Sequence, residues 1–449
     1  MCFFSKVSRP ASGLAGFPHG IPGGPLAFLV RIGAGFRRGR NGLLFGASFL
    51  FSLSGNMLSF SLVYLLTDRF SLNPGQVGAY LAMGSLSYFL CCNLYHHFGT
   101  AVSPTRIIPA ATAVVFLSSL AVSQAGSSLL AALAYILVQG GTGLFWPPLM
   151  AWFTRGLDNR ALNRDISIFN RSWMSGNLLG PPVSGALYHM SGGLSFLAAN
   201  FGYALVFGIL ILVVRREAAA RIPEGGEIRG AEIPDGEGPA EAIPAKGRHS
   251  PVPKTAAPLA TAREKAMDWF RYRGWIGAFC TNCFIGVLSN IVPLHIRDGL
   301  GYTERTAGMV LFIRCVSGLI GFTVLARITL WHFNRRWFLL VQSVLAFCAF
   351  AFLPAGNMIP FYFVIIFVYG FVHSCCYNNS IFYSSATGKN PGKNLALHEM
   401  LLSIGSALGS AGGGFCYQRF GFAGTFTALG IVQVLGLALF ALLDYHDKR

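Results

Sequence analysis

Two stretches far apart in the chain carry the same pattern of small residues. Gly176-Asn-Leu-Leu-Gly180-Pro181-Pro182-Val-Ser184-Gly185-Ala-Leu-Tyr188 and Gly405-Ser-Ala-Leu-Gly409-Ser-Ala-Gly-Gly413-Gly414-Phe-Cys-Tyr417 both read Gly-x3-Gly-x4-Gly-x2-Tyr, and both lie inside apolar runs. On a helix, Gly176, Gly180 and Ser184 stack at i, i+4 and i+8, as do Gly405, Gly409 and Gly413. Such ladders let two backbones approach closely where no hydrophobic force drives helices together. A second pair stands earlier in each half: Asp68 to Gly78 and Asp298 to Gly308 have the same Asp-to-Gly interval. One unit is therefore written twice over most of the chain. Parallel repeats of this kind in membrane proteins place a solute site between the two copies.

Composition agrees. Of 449 residues 53% are hydrophobic and 11% charged, against about 25% charged in a soluble domain, which points to a membrane protein. The net charge of +17 does not form a nucleic-acid patch, because the basic residues fall between apolar spans, where topology and lipid headgroups account for them. Nine cysteines (Cys91, Cys92, Cys280, Cys283, Cys315, Cys348, Cys375, Cys376 and Cys416) lie inside apolar runs and do not resemble a disulfide framework or a metal site. No cofactor motif is present: there is no phosphate-binding Gly-x4-Gly-Lys loop, and no His-Glu-x-x-His or Gly-x-Ser-x-Gly element. The chain does not read as an enzyme.

A crossing needs about 20 apolar residues. Runs of that kind occur at 43–67, 76–97, 106–124, 128–150, 168–189 and 194–214, then at 274–296, 306–327, 336–353, 358–384, 395–417 and 422–443. The expected fold is all-α and integral to the membrane, with twelve spans as two six-helix pseudo-repeats, 43–214 and 274–443. The remainder reads as a basic Pro/Gly-rich tail (1–42) without an evident cleavable signal, a disordered Pro-rich linker (215–273) and a short tail (444–449). Within the linker, Trp269 to Trp275 mixes aromatic and basic residues, as an anchor at headgroup level does. With both termini inside, roughly 28 Lys and Arg fall on the inner side and four (Arg69, Arg297, Arg305 and Arg419) on the outer. The chain is thus expected to be multi-pass, in the plasma membrane or a bacterial inner membrane, with cytoplasmic termini.

Ionisable groups inside spans are expensive and mark function by default. Arg314, in span eight, has two readings: a guanidinium fork for an anionic solute, or structural glue between helices. Glu399, near the inner end of span eleven, is either a protonatable coupling group or an end-of-helix partner for a loop arginine. His373, mid-span ten, is a packing residue or a second proton carrier. Arg297 and Asp298 end span seven, where the repeat with Asp68 suggests a structural cap. Pro147-Pro148 in span four and Pro181-Pro182 in span five are expected bends.

Twelve spans in two sixes, a long central inner loop and Gly-rich fifth and eleventh helices resemble the major facilitator superfamily, over roughly 43–443. The superfamily's fifth-helix antiporter motif, Gly-x3-Gly-Pro-x2-Gly-Gly, is similar to Gly176-x3-Gly180-Pro181-x2-Ser184-Gly185, with Ser in place of one Gly. In the family it accompanies export in exchange for protons. The loop after helix two keeps only Cys92-x-Leu94-x-His96-His97-x-Gly99 of the usual Gly-x-Leu-x-Asp-Arg-x-Gly-Arg. Gln139-Gly140 is present in span four, but Ile136 stands where the family carries Arg. The resemblance implies that Asn56, Gln139, Trp146, Asn282, His373, Tyr377 and Asn378 face a central cavity beside Arg314. Gly176, Gly180, Pro181, Gly185, Gly405, Gly409 and Gly414 would then be packing or hinge positions. The expected function is secondary transport of a small organic solute by alternating access, the solute being anionic on the first reading of Arg314. Protons are the candidate coupling ion and a monomer the working unit. A proton-antiport drug or lipid exporter, and a scaffold or sensor that kept the fold without transport, are the alternatives.

Overall fold

In hydrocarbon a backbone must satisfy its own N–H and C=O groups, and apolar runs of this length do so as helices. The computed structural model describes residues 39–98, 102–154, 159–219, 257–325, 327–328, 331, 333–386 and 391–447, and these are almost entirely helical. In order the helices are α1 (Gly39–Asp68), α2 (Pro74–Phe98), α3 (Pro104–Gln124), α4 (Ser128–Gly143), α5 (Trp146–Thr154), α6 (Asn159–Met190), α7 (Gly192–Ala219), α8 (Ala257–Leu294), α9 (Glu304–Leu325), α10 (Arg335–Ala355), α11 (Ile359–Ala386) and α12 (Pro391–Asp447). A π turn, His295–Gly299, extends α8.

Local chemistry sets the ends. Asn73 and Gln76 form a reciprocal capping box at the start of α2, at 2.9 and 3.1 Å, and Pro74 takes the first helical position, where its missing N–H costs nothing. The Ser127 side chain caps α4, and the Asn334 side chain accepts from two N–H groups of α10. Span four is broken between α4 and α5, just ahead of Pro147 and Pro148, as the sequence led us to expect. The Pro181-Pro182 pair, in contrast, is carried within a continuous α6.

Ten stretches of the described residues are long and apolar enough to cross a membrane. One of them, Leu397–Leu443, has 47 residues, which at 1.5 Å each is about twice the hydrocarbon thickness. It is divided at Gly421 (φ 69°, ψ −168°), a conformation open to glycine and strained for other residues, so α12 makes two passes. The helix missing from the ten is α6, whose first half carries Arg160, Arg164, Asp165 and Arg171, yet it packs against α1, α7 and α9 like the other spans. With α12 split and α6 added, the passes match the twelve read from the sequence.

The duplication is visible in backbone geometry. A methyl group built on Gly176 would come within 2.5 Å of the Phe49 carbonyl oxygen, and one on the equivalent Gly405 within 2.7 Å of the Phe279 carbonyl oxygen. Each half therefore seats its small-residue ladder on its own first helix, α6 on α1 and α12 on α8. Each half also has its own aromatic core, with Phe51 stacked on Phe145 at 3.7 Å and Phe284 on Tyr369 at 4.3 Å.

The linker is narrower than its composition suggested. Helix α7 runs on to Ala219 and α8 begins at Ala257, while 220–256, like the N-terminal 1–38, lie outside the described residues. The aromatic-basic segment also differs from a surface anchor. Trp269, Phe270 and Arg273 are buried, the Arg273 guanidinium lies 3.3 Å from the Trp269 ring centre, and its nitrogens donate to the Trp269 and Phe440 carbonyls. Only Tyr272 is exposed there, because the start of α8 packs inward against α10, α11 and α12.

Candidate functional site

Two seams join the halves, α6 against α9 and α2 against α12. Both are glycine contacts in reciprocal pairs. On the first seam a Cβ on Gly185 would strike the Glu304 carbonyl oxygen, and one on Gly308 the Pro181 carbonyl oxygen. On the second, Gly414 meets the Pro74 carbonyl oxygen and Gly78 the Ser410 carbonyl oxygen. These are the repeat equivalents of one another, and all lie toward the predicted outer end. Among the described glycines no such cross-half approach occurs toward the other end.

At that same outer end the halves are tied by charge. Arg297, in the π turn, places Nη2 2.7 Å from Asp68 Oδ1 and donates from Nη1 to Asp68 Oδ2 at 2.8 Å, a bidentate pair between the end of α1 and the end of α8. Its Nε lies 2.6 Å from Asp298, its Nη1 3.7 Å from Glu304, and its guanidinium 4.5 Å from the Tyr64 ring centre. Tyr188 donates to Asp68 at 3.1 Å, and His189 Nδ1 lies 3.2 Å from Glu304 Oε2. The repeat with Asp68 suggested a structural cap at the end of span seven, and Arg297 there reaches Asp68 itself. Asp68 is the partner of a cation on the other half. The repeat hid this: the residues that pair are Asp68 and Arg297, one position apart from the residues that match.

The interior candidates divide into those that meet and those that do not. Arg314, half-buried on α9, makes no side-chain hydrogen bond or ion pair among the described residues, and Tyr369 and His373 of α11 are within its electrostatic reach. His373 is held by Thr281 Oγ1 at 3.2 Å, while Tyr369 donates to the Thr281 carbonyl at 2.8 Å. One turn further, the Tyr377 ring lies 6.2 Å from that of His373, with half-buried Asn378 beside it. Glu399 of α12 is half-buried, its carboxylate without a hydrogen bond or ion pair among the described residues. It lies within electrostatic reach of Tyr377 and, from the other half, of Tyr88 and Cys92 on α2. Arg314, His373, Tyr377 and Glu399 therefore line one length of α11.

The other candidates lie elsewhere. Asn282 is buried and donates to its own helix at Ala278, beside Gly405. Gln139 packs on Gly84 of α2. Trp146 stands edge-on to Phe51 and Phe169 in the first half's aromatic core. Asn56 donates to Asn177 Oδ1 at 2.7 Å, and the Asn177 carbonyl in turn accepts from Cys315, next to Arg314. Asn177, hidden inside the Gly176–Gly180 interval, was missed by the sequence reading, as was Tyr88. Ser184, which replaces a motif glycine, is buried in a cluster with Ser61, Ser195 and the Met57 carbonyl oxygen at 2.8, 2.8 and 3.0 Å.

Comparison with known proteins rests on this geometry. Solved structures match over nearly the whole chain. A POT family transporter in complex with 5-aminolevulinic acid has TM-score 0.68 at 13% identity, covering 91% of this chain and 96% of that one. A bacterial homologue of the human lysosomal transporter Spinster, inward-facing and unoccupied, has TM-score 0.63 at 14% identity, covering 90% and 97%. A mutant form of the nucleoside transporter NupG has TM-score 0.60 at 14% identity, covering 90% and 100%. At these identities the likeness is one of fold. No curated protein sequence matches. The model described as "Major Facilitator Superfamily" matches residues 44–389, well over half the chain, and with the duplicated bundle and its two glycine seams this places the protein in the major facilitator superfamily.

Proposed function

We propose that this chain is a secondary transporter that moves a small organic solute across the membrane by alternating access. The observation that carries the reading is the joint at the predicted outer end. Two repeat-related halves are locked together at the predicted outer end by glycine seams and by the Asp68–Arg297 pair. A joint of that kind is bistable: two packed bodies rock about a central site instead of deforming continuously. With both termini cytoplasmic, as the Lys and Arg count directs, this joint lies on the outer side in this reading.

In this reading Arg314 engages an anionic group of the solute, because an unpaired guanidinium within a span faces a polar passage, not lipid. Glu399 is the group that takes up and releases the coupling proton, with His373 second. The fifth-helix motif favours exchange of solute against protons, and the carrier works as a monomer in the plasma membrane.

The test is flux in proteoliposomes, on a solute found by comparing the metabolites of cells with and without the protein. Saturable flux that depends on a pH gradient, and that Glu399→Gln uncouples, supports the reading. Non-saturable leakage, or a solute distribution that ignores the protein, overturns it.

A further inference from the structure

Two ionisable groups of opposite sign, Arg314 and Glu399, stand without a partner among the described residues of the spans, and both face α11. Arg314 approaches it at Tyr369 and His373, Glu399 at Tyr377. Neither group has a counter-ion among the described residues, and each side chain is half-buried. An ion held in a span without a partner is costly, and a ligand that brings both missing charges relieves both sites at once. A plain anion relieves only one of them and places its negative charge in the same passage as the Glu399 carboxylate.

The spacing sets the ligand's length. Along a helix rising 1.5 Å per residue, His373 to Tyr377 is about 6 Å and Tyr369 to Tyr377 about 12 Å. An α-amino acid, whose carboxylate and ammonium share one carbon atom, is short for that spacing. The rings of His373 and Tyr377, 6.2 Å apart, form the wall between the two charges, an aromatic surface against which a short apolar chain can lie.

We infer that the site takes an extended amphoteric solute, its carboxylate on Arg314 and its ammonium on Glu399, with one to two helical turns of apolar chain between them. The inference rests on the carrier reading above and narrows its substrate class.

A graded series of probes tests it. Uptake of labelled ε-aminocaproate into proteoliposomes is measured at fixed pH, with glycine, γ-aminobutyrate, ε-aminocaproate and aminooctanoate as competitors. The N-acetyl and methyl-ester forms of ε-aminocaproate complete the set. Each charge-assisted contact is worth about tenfold or more in affinity, so the two longer zwitterions should compete at least about tenfold better than glycine, and better than either blocked form by a similar factor. Glu399→Gln should erase the preference for the parent over its N-acetyl form, and Arg314→Gln the preference over its methyl ester. A crossed pattern of selectivity is something a misfolded variant cannot imitate.

Absence of ε-aminocaproate uptake overturns the two-charge site, as does equal competition by the N-acetyl form in the unaltered protein, or a Glu399→Gln variant that still discriminates. Saturable uptake of the N-acetyl carboxylate that Arg314→Gln abolishes would overturn this inference while leaving the carrier reading standing.

Discussion

The seam between α6 and α9 and the seam between α2 and α12 are built on the same backbone plan and finished with different chemistry. In both, a glycine on each side fits against a carbonyl of the other, at positions related by the duplication. The α6–α9 side carries ion pairs, with Glu304 between His189 and Arg297, and Asp68 between Arg297 and Tyr188. No ion pair is seen among the described residues of its counterpart near α12. There Tyr417 pairs with His295 at 3.1 Å, and Gln418 lies over Gly75. Duplication preserved what packing demands, since a Cβ at a backbone contact has nowhere to go. Polarity was free to diverge, and the two seams carry different side-chain contacts.

The largest effects should come from filling a seam. Leu at Gly308 or at Gly78 forces a branched side chain against a carbonyl, and overpacking of this kind costs about 1–3 kcal/mol. If both seams close together, each variant should lower flux by about tenfold or more in proteoliposomes, with the protein still inserted and monodisperse. Equal losses sharpen the equivalence of the seams. A loss at Gly308 alone breaks it, leaving the α2–α12 contact passive.

Breaking the Asp68–Arg297 pair should come next. Arg297→Gln removes a guanidinium whose side chain is 16% exposed and leaves Asp68, Asp298 and Glu304 close together without a cation. Partly screened by solvent, the loss should be about 1–2 kcal/mol. Amide hydrogen exchange over 295–299 and 185–192 should accelerate by about tenfold, and unchanged exchange would show that the glycines alone hold the end shut. Asp68→Asn should do less, because Asp68 is 41% exposed and the amide can still accept from Arg297 and Tyr188. A change of about two- to fivefold in the same exchange is expected.

The smallest effect belongs to His189→Gln. Its ring is 53% exposed, and an exposed pair contributes about 0–1 kcal/mol that salt screens away. Flux should change by less than about threefold at low ionic strength and not at all at high. A large effect here would mean that His189 has a role beyond its contact with Glu304.

Much of the fold was legible before any coordinates. Apolar length marked the spans, the two Gly-x3-Gly-x4-Gly-x2-Tyr stretches marked the duplication, and Pro147-Pro148 marked the break in span four. The prolines at 181 and 182 lie inside α6, which runs on through them. The site was read less well. Arg314, His373 and Glu399 were picked out because ionisable groups are rare in spans, Tyr377 through the family resemblance, and all four lie along α11. Asn282, Gln139 and Trp146 came from the family resemblance, and here Asn282 donates to its own helix, Gln139 packs on Gly84 and the Trp146 ring packs on Phe51 and Phe169. Type and depth along a span can be read from a chain. The direction in which a side chain points around the helix depends on which neighbour it packs against.

The sequence by itself determined that this chain crosses a membrane many times, in two related halves, because apolar length and internal repetition are properties of a single strand of residues. Only the tertiary structure decided that Asp68 reaches Arg297, more than two hundred positions away, and that the same plan of glycines serves two seams with different side-chain contacts. Those facts are made by two bodies meeting. Which surfaces meet is set by the packing of whole bundles, not by any one stretch of the chain.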